Sequence, residues 1–352
     1  MSLRLSPHES ATDRAGSKNQ PLPGLNPGRL ANLMRQAVRR CRLDLSGAVV
    51  VTEAATGAYA VTPILAAMAE ASKVFAVARP SRHGTVRDVV DQTNAVALAA
   101  KVPGVVEVIT ELTSEIIARA DVLTNSGHVR PIDRRMVGHM KPTAVIPLMY
   151  ESWEFRDSDV DLAACRERGI PVAGTNERHP EVDVFSYLGM MAVKLLLDAG
   201  VSIYRSRILV LCDNPFESYI RRGLVVAGAS VNSVADLGGE VSCEEVDAIV
   251  VAQRPGGQPV IGPRQAGLIA ERFPGVVVAQ FWGDLDRDAL DRAGVVYWPE
   301  QAPKLGHMGV LPSDIGPEAI VRLQAGGLKV AEVLRRKTQG EENPEWEYLD
   351  VI

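Results

Sequence analysis

Short, continuously apolar runs rich in valine and isoleucine recur along the chain and alternate with stretches of helical spacing. In the first half these runs are AVVVT (48–52), KVFAVA (73–78), VVEVIT (105–110), DVLTN (121–125), AVIPLM (144–149) and IPVAG (170–174). A second series begins with RILVL (207–211) and ends with GVVYW (294–298). Apolar strands without polar alternation, separated by helices, are typical of parallel sheets that helices cover on both faces. The pattern predicts an α/β fold with two doubly wound, Rossmann-like lobes and a cleft between them.

The boundary between the two series predicts how the chain divides. Val184, Leu188, Met191 and Leu195 share one face of a helix that Gly200 ends, and this helix joins the lobes. We predict a flexible tail (1–24), a first lobe (25–183, completed by 305–336), a second lobe (184–304) and an acidic C-terminal tail (337–352). For the acidic tail, a solvated segment is favoured over a strap across a neighbour.

Composition excludes several classes of partner. The net charge of −5 over 352 residues leaves no electrostatic footprint for nucleic acid or an anionic membrane. No apolar run approaches the roughly 20 residues that a membrane span requires. The four cysteines are scattered without a CxxC pair, which predicts a reduced, cytoplasmic protein with no metal site.

The stretch LCDNPFESY (211–219) lies where a dinucleotide site would have its phosphate-binding turn. It follows the apolar run RILVL, opens a predicted helix, and is followed by SVNSVADL, which ends in Asp236. Such a turn normally carries glycines, because they let the backbone approach a pyrophosphate. Here the sequence predicts an ordinary helix start instead, which Asp213 or Asn214 would cap well.

One longer segment points to a known family. DSDVDLAACRERGIPVAGTNERHPEVDVFSYLGMMAVKLLL (157–197) resembles the corresponding segment of the D-2-hydroxyacid dehydrogenases of the formate/glycerate type. The resemblance continues, at the level of spacing, over residues 105–336. It implies a substrate in the cleft between the lobes, NAD or NADP as cofactor, and a small hydroxy or keto acid as substrate. It also implies a homodimer.

The resemblance carries over to site residues only in part. The family's G-x-G-x-x-G falls on Cys212, Asn214 and Glu217, so all three glycines are missing, although Asp236 remains where an acid would bind the adenine ribose. Asn214 and Asp236 are therefore the candidate cofactor residues in an altered second-lobe site.

The family's catalytic residues are matched in part as well. Trp282 stands where the family has a substrate-binding arginine. Glu300 and His307 stand where the family has its catalytic pair. The resemblance implies that Glu300 orients His307 and raises its pKa, so that His307 acts as acid or base near neutrality.

The first lobe contains a rival nucleotide site. The loop EAATGAY places Thr56 and Gly57 after the first strand, and Arg79, Ser81 and Arg82 after the second would suit a 2′-phosphate. S-adenosylmethionine is an alternative ligand for this loop. The competing interpretation is a turn of the kind that every parallel sheet has, with a solvated arginine loop beside it.

Two further loops follow strands on the predicted cleft side. They offer a proton-transfer group, His128, and side chains that could bind substrate. The substrate candidates are Asn125, Ser126, Gly127, Arg130, Tyr150, Glu151, Trp153, Glu154 and Arg156. Arg130 or Arg156 could replace the missing arginine, while the competing interpretation is a polar contact between the lobes.

Three functions remain open from the sequence. The first is an NAD(P)-linked oxidoreductase that acts on a small-molecule acid. The second is a non-redox enzyme on the same fold that binds S-adenosylmethionine or another nucleotide, and the third is a non-catalytic binding protein. The density of histidine, arginine, glutamate and tryptophan in the cleft loops favours an enzyme.

Overall fold

The computed structural model describes residues 22–238, 245–342 and 345–352 and confirms two α/β lobes. Most of the predicted tail at 1–24 lies outside the described residues. No helix in the described part of the chain is long and apolar enough to span a membrane.

The first lobe is a parallel sheet with helices on both faces. Its strands are β1 (Val49–Glu53), β2 (Lys73–Val77), β3 (Val106–Ile109), β4 (Val122–Leu123), β5 (Ile146–Pro147) and β6 (Val172–Thr175). Its helices are α1 (Pro27–Arg40), α2 (Thr62–Met68), α3 (Val86–Ala100), α4 (Ser114–Arg119), α5 (Arg134–His139) and α6 (Leu162–Arg168).

Strand order places a ligand crevice in this lobe. The sheet β3-β2-β1-β4 is joined to β5 and β6 through a parallel bridge between Val122 and Val145. The chain therefore adds β2 and β3 on one side of β1. It then crosses to the other side of β1, where it adds β4, β5 and β6. Ligands of open α/β sheets bind at such a reversal, at the carboxyl ends of the strands. Here that point lies between β1 and β4.

The second lobe repeats the architecture with five strands. They are β7 (Arg207–Leu211), β8 (Ser230–Val234), β9 (Ala248–Ala252), β10 (Val277–Trp282) and β11 (Val296–Trp298). The helices are α7 (Leu188–Asp198), α8 (Phe216–Val226), α9 (Pro263–Arg272) and α10 (Arg287–Ala293). The order is β11-β10-β9-β7-β8, and all pairs are parallel. Its point of reversal lies between β7 and β9, and the central strand β9 is buried at every residue, as its unbroken apolar sequence requires.

Two helices connect the lobes. The helix α7 packs against α8, and Gly189 and Gly223 meet where the two backbones touch. The long helix α11 (Glu318–Thr338) returns to the first lobe, where it packs against α1 and β6 and buries most of its residues. These two helices set the relative position of the two ligand crevices.

The C-terminal segment is not the solvated tail that the sequence favoured. Strand β12 (Leu349–Asp350) pairs antiparallel with β6, and the Tyr348 side chain is buried in the first-lobe core. The prediction was wrong because it rested on the acidic composition of the segment, whereas individual residues within it bind the first lobe. Glu345, for example, forms an ion pair with the buried Lys329.

Candidate functional site

A cleft of about 870 Å³ lies between the lobes, at the carboxyl ends of strands from both sheets. It brings together most of the predicted substrate residues and His307, together with groups that the sequence analysis did not name. Residues that decide its chemistry are Glu53, Glu154, Arg156, Glu177, Trp282 and His307. A smaller depression of about 470 Å³, between Pro131 and Arg166, contains none of the predicted site residues.

The turn between β7 and α8 is tied together by side chains. The Asn214 side chain accepts a hydrogen bond from the Phe216 backbone N–H (3.0 Å) and donates one to the Ala252 carbonyl (2.7 Å). The carboxylate of Asp213 accepts the N–H of Arg254 (3.2 Å). Asn214 thus binds the first N–H of α8, but the N-cap residue is Pro215 rather than the predicted Asp213 or Asn214. These side chains fill the point of reversal where dinucleotide phosphates would bind.

An aromatic cluster closes the same region and joins the lobes. The Trp153 ring, from the first lobe, lies 4.9 Å from the Trp282 ring, and Phe216 stacks on Trp282 at 5.1 Å. We call these three residues the aromatic bridge. Phe216 and Trp282 are buried. Trp282, which stands where the family has an arginine, also donates its indole N–H to the Gly306 carbonyl (3.1 Å).

The fold implies a dinucleotide at this turn, but the residues present do not fit one. A pyrophosphate needs close backbone approach and unengaged peptide N–H groups. The turn instead offers the Asp213 carboxylate, Pro215, which has no N–H, and the Phe216 ring. Asp236, the predicted ribose ligand, is exposed and accepts the Gly238 N–H (2.8 Å) within its own turn.

The rival loop in the first lobe is also engaged internally. Gly57 donates its N–H to the Gln92 side chain (3.0 Å) and accepts from the same amide (3.2 Å). Thr56 donates to the His83 carbonyl (3.1 Å), and Arg82 contacts the His83 ring (3.0 Å). The loop is thus fastened to a turn that contains Ser81 and leaves Arg79 and Arg82 exposed. The N–H of Gly57 is not free for a phosphate.

A partly buried carboxyl, Glu53, lies at the point of reversal between β1 and β4. Glu53 accepts the His128 backbone N–H (3.2 Å), and its own N–H donates to the Ser126 hydroxyl (3.2 Å). A Cβ on Gly127 would overlap the Glu53 carboxylate, so a larger residue there would displace the Glu53 side chain. Burial raises the pKa of Glu53. Glu53 was not among the predicted site residues, although its place directly after the apolar run VVVT was an available signal.

His128 contacts this carboxylate through its backbone N–H. Within the described part of the chain, its imidazole has no charged hydrogen-bond partner that would favour the protonated form. Burial lowers the pKa of His128, and the charge of Arg79 lowers it further. The charge of the predicted phosphate-binding arginine thus acts on the predicted proton-transfer residue, and neither of the two lines the cleft between the lobes.

Glu154 and Glu177 line the cleft, and the charge of the buried Glu151 acts on both of them. Glu151 is buried and accepts the Trp153 indole N–H (2.7 Å) and the Arg178 guanidinium (3.3 Å). The Glu154 side chain is exposed to the cleft; desolvation by the surrounding protein and the charge of Glu151 together raise its pKa to about 7. Burial, together with the charges of Glu154 and Glu151, raises the pKa of Glu177. We call Glu151, Glu154 and Glu177 the acidic wall.

Arg156 and His307 meet across the cleft, with the guanidinium Nη2 3.1 Å from the imidazole Nε2. Burial lowers the pKa of His307, and the Arg156 charge lowers it further because a second cation beside a guanidinium is unfavourable. The expectation that Glu300 raises this pKa was therefore wrong. Glu300 is exposed, and among the described residues the His307 ring is hydrogen-bonded to Arg156 rather than to Glu300.

The remaining predicted substrate residues bind one another. Arg130 forms an ion pair with Asp159 (3.2 Å), to which the Tyr150 hydroxyl also donates (2.5 Å). Asn125 donates to the Tyr150 hydroxyl (2.7 Å) and accepts the Met149 N–H (2.9 Å). All members of this network lie in the first lobe, so it is not the polar contact between the lobes that the sequence left open. Arg156, rather than Arg130, is left without a carboxylate partner among the residues that the structure describes.

No metal centre accompanies these groups in the residues that the structure describes. Across 22–238, 245–342 and 345–352, no three histidine, cysteine, aspartate or glutamate side chains are arranged to hold an ion. Cys41, Cys165 and Cys212 are buried free thiols, and burial raises the pKa of each to about 11. Cys243 lies outside the described residues.

No protein-family model and no curated protein matches this sequence. Among solved structures it is similar to a dipicolinate synthase polypeptide of Bacillus halodurans, at 11% identity and a TM-score of 0.51, over 84% of this chain and 99% of that one. For the corresponding dipicolinate synthase polypeptide of Bacillus subtilis the identity is 12% and the TM-score 0.52, over 86% and 100%. An NAD-dependent formate dehydrogenase from Staphylococcus aureus, in complex with NAD, has a TM-score of 0.48 at 15% identity, over 86% and 98%.

At these identities the similarity concerns the fold. The structural neighbours include members of the D-2-hydroxyacid dehydrogenase family, and the similarity to the two dipicolinate synthase polypeptides covers 84% and 86% of this chain and 99% and 100% of theirs. The chain therefore shares the two-lobed fold of these neighbours, which is the fold that the resemblance of residues 157–197 implied.

Proposed function

We propose that the cleft is an active site in which Glu154 transfers a proton to or from a small hydroxy or keto acid. In this proposal Arg156 and His307 bind the carboxylate of the substrate. The observation that supports it most directly is the contact between Arg156 and His307, whose pKa is lowered. Glu154, whose pKa is raised to about 7, lines the same cleft.

Arg156 has the properties of an anion-binding residue. Within the described ranges, no carboxylate lies within ion-pair distance of its guanidinium, which is held by an imidazole instead. Because guanidinium is planar and offers paired donors, it suits a carboxylate better than an ammonium would. Arg156 would thus take over the task that the family gives to an arginine at the position of Trp282, from the opposite lobe.

Glu154 has the properties of a proton-transfer residue. A group that titrates near pH 7 is present in both protonation states at neutrality, which is the condition for general acid–base catalysis. Proton abstraction from the carbon beside a keto group would move that proton to Glu154 and the electron pair onto the keto oxygen. Arg156 lies on the same loop and would stabilise the resulting negative charge.

A nicotinamide-linked oxidoreductase is the second candidate, and the dehydrogenase fold favours it. It requires NAD or NADP to bind away from the turn between β7 and α8, or the aromatic bridge to open. Arg79, Ser81 and Arg82 remain the predicted contacts for a 2′-phosphate, and S-adenosylmethionine remains the alternative ligand there. A homodimer and a cytoplasmic location stay predictions from the sequence.

The proposal predicts that the protein exchanges the C3 hydrogens of pyruvate with solvent deuterium, which proton NMR measures directly. The rate should rise with pH through about 7, because Glu154 must lose its proton to act as a base. Glu154→Gln should lower the rate by roughly 100-fold or more. Arg156→Lys should raise KM, because a point charge replaces the paired donors.

The control is Glu271→Gln, on the exposed face of α9, which should leave the exchange rate unchanged. Wild-type protein that exchanges neither pyruvate nor 2-ketobutyrate faster than buffer would contradict proton transfer to Glu154. An unaltered rate in Glu154→Gln would assign the base to another residue.

A further inference from the structure

The last eight residues of the chain, 345–352, run along the first lobe beside both segments that carry the acidic wall; we call them the C-terminal strap. Strand β12 places Leu349 opposite Thr175 and Asp350 opposite Gly174. Glu151 and Glu154 lie in the loop after β5, and Glu177 follows β6. The strap therefore contacts the two segments at the points where they leave the sheet.

The first contact fixes the loop that carries Glu151 and Glu154. The Ser152 backbone N–H donates to the Asp350 carboxylate at 2.6 Å. Ser152 lies directly after Glu151, so this bond holds the peptide at the centre of the wall. A Cβ on Gly174 would lie 2.9 Å from the Ser152 nitrogen and 3.2 Å from the Asp350 carbonyl oxygen. Loop, strand and strap therefore touch through their backbones.

The second contact fixes the segment that carries Glu177. The backbone N–H of Asn176 donates to the Tyr348 carbonyl (2.9 Å), and its side chain donates to the Glu347 carbonyl (2.8 Å). The ring of His179 stacks on the Tyr348 ring at 3.8 Å. The residues on both sides of Glu177 are thus held by the strap.

The strap is itself anchored in the core of the lobe. Tyr348 is 3% exposed, and the Lys329 ammonium lies 5.5 Å from the centre of its ring. Lys329 also forms an ion pair with Glu345 at 2.5 Å. These contacts fix the strap at its first residue and its middle, so that Asp350 reaches Ser152 from a rigid support.

We propose that the C-terminal strap is a positioning element of the cleft. Through Asp350 and Tyr348 it fixes the two backbone segments that carry Glu151, Glu154 and Glu177. Asp350 and Tyr348 are positioning residues in this scheme, since neither lines the cleft. The inference goes beyond the proposed proton transfer, because it holds for any ligand that the acidic wall binds.

Hydrogen–deuterium exchange of the full chain, read by mass spectrometry, tests the proposal without a ligand. Asp350→Ala should speed exchange by about 10-fold or more in peptides covering 149–157 and 174–180, because local opening then costs less free energy. Exchange in α1 and in the second lobe should stay as in the wild type. Asp350→Asn retains an oxygen acceptor for the Ser152 N–H and should restore most of the protection.

Glu347→Ala is the matched control, since this neighbouring acidic side chain is exposed and the strap uses only its backbone carbonyl. It should leave exchange unchanged. Unaltered exchange in Asp350→Ala would overturn the proposal. Faster exchange throughout the chain, in Asp350→Ala and Asp350→Asn alike, would also overturn it, because the strap would then support the whole fold rather than the wall. Failure of pyruvate exchange would leave these outcomes unaffected.

Discussion

Gly223→Ala should lower the free energy of unfolding by roughly 2 kcal/mol or more, although alanine is the better helix former by about 1 kcal/mol. A Cβ at this position of α8 would overlap the Gly189 Cα and lie 2.7 Å from the Gly189 carbonyl carbon. Both are backbone atoms of α7, and neither can move away without shifting the whole helix. The steric cost therefore exceeds the gain in helix propensity. Chemical denaturation with a far-UV signal measures the difference.

Gly267→Ala provides a matched control for this prediction. Gly267 is also a helical glycine, in α9, but nothing lies within 4 Å of the Cβ that it would gain. The same substitution should therefore raise stability, by up to about 1 kcal/mol. A Gly223→Ala variant as stable as the wild type would show that α7 and α8 do not pack backbone to backbone. The α7 residues that line the cleft, Leu188 and Met191, would then be placed differently.

Lys329→Met should cost about 3 kcal/mol or more, the range found when one partner of a buried ion pair is removed. The Lys329 ammonium is 1% exposed and lies 2.9 Å from the Glu332 carboxylate and 2.5 Å from Glu345. Without it, Glu332 keeps Arg336 and the Asp44 N–H as partners, but Glu345 loses its charged partner in the first lobe. The deficit should shrink as pH falls, because burial already raises the pKa of Glu332 and a proton removes its charge.

Lys194→Met is the control, because it removes the same positive charge from an ion pair that is exposed rather than buried. Lys194 forms an ion pair with Asp198 one helical turn away, on the exposed face of α7. Its loss should cost no more than about 0.5 kcal/mol. Thermal unfolding of both variants at pH 5 and pH 8 checks the two statements together. A Lys329→Met variant as stable as Lys194→Met would show that the Lys329 contacts add no net stability.

The architecture could be predicted because hydrophobic pattern determines strands of a parallel sheet. RILVL forms β7 over the residues expected, and the apolar runs of the first lobe all contain strands. The start of α8 was predictable to within one residue for a local reason, since the Asn214 side chain binds the N–H of Phe216 two residues away, although Pro215 is the N-cap residue. Short-range chemistry of this kind is visible in sequence.

The cleft was less predictable because its parts meet only in three dimensions. Trp153, Phe216 and Trp282 come from three distant segments, and no local pattern indicates that they stack. The raised pKa of Glu154 depends on burial and on Glu151, which sequence does not display. His307 was found through the resemblance, but its partner was not, because the spacing that suggested Glu300 does not place it beside the ring.

The central claim is that the turn between β7 and α8 is a helix start and that ligands bind in the cleft instead. Calorimetric titration of the purified chain with NADH tests it most directly, with Asp236→Ala and Arg79→Ala titrated in parallel. We predict no saturable binding of NADH tighter than about 1 mM, which corresponds to roughly −4 kcal/mol. Micromolar binding that Asp236→Ala abolishes and Arg79→Ala preserves would place a dinucleotide on the second-lobe turn and contradict the claim.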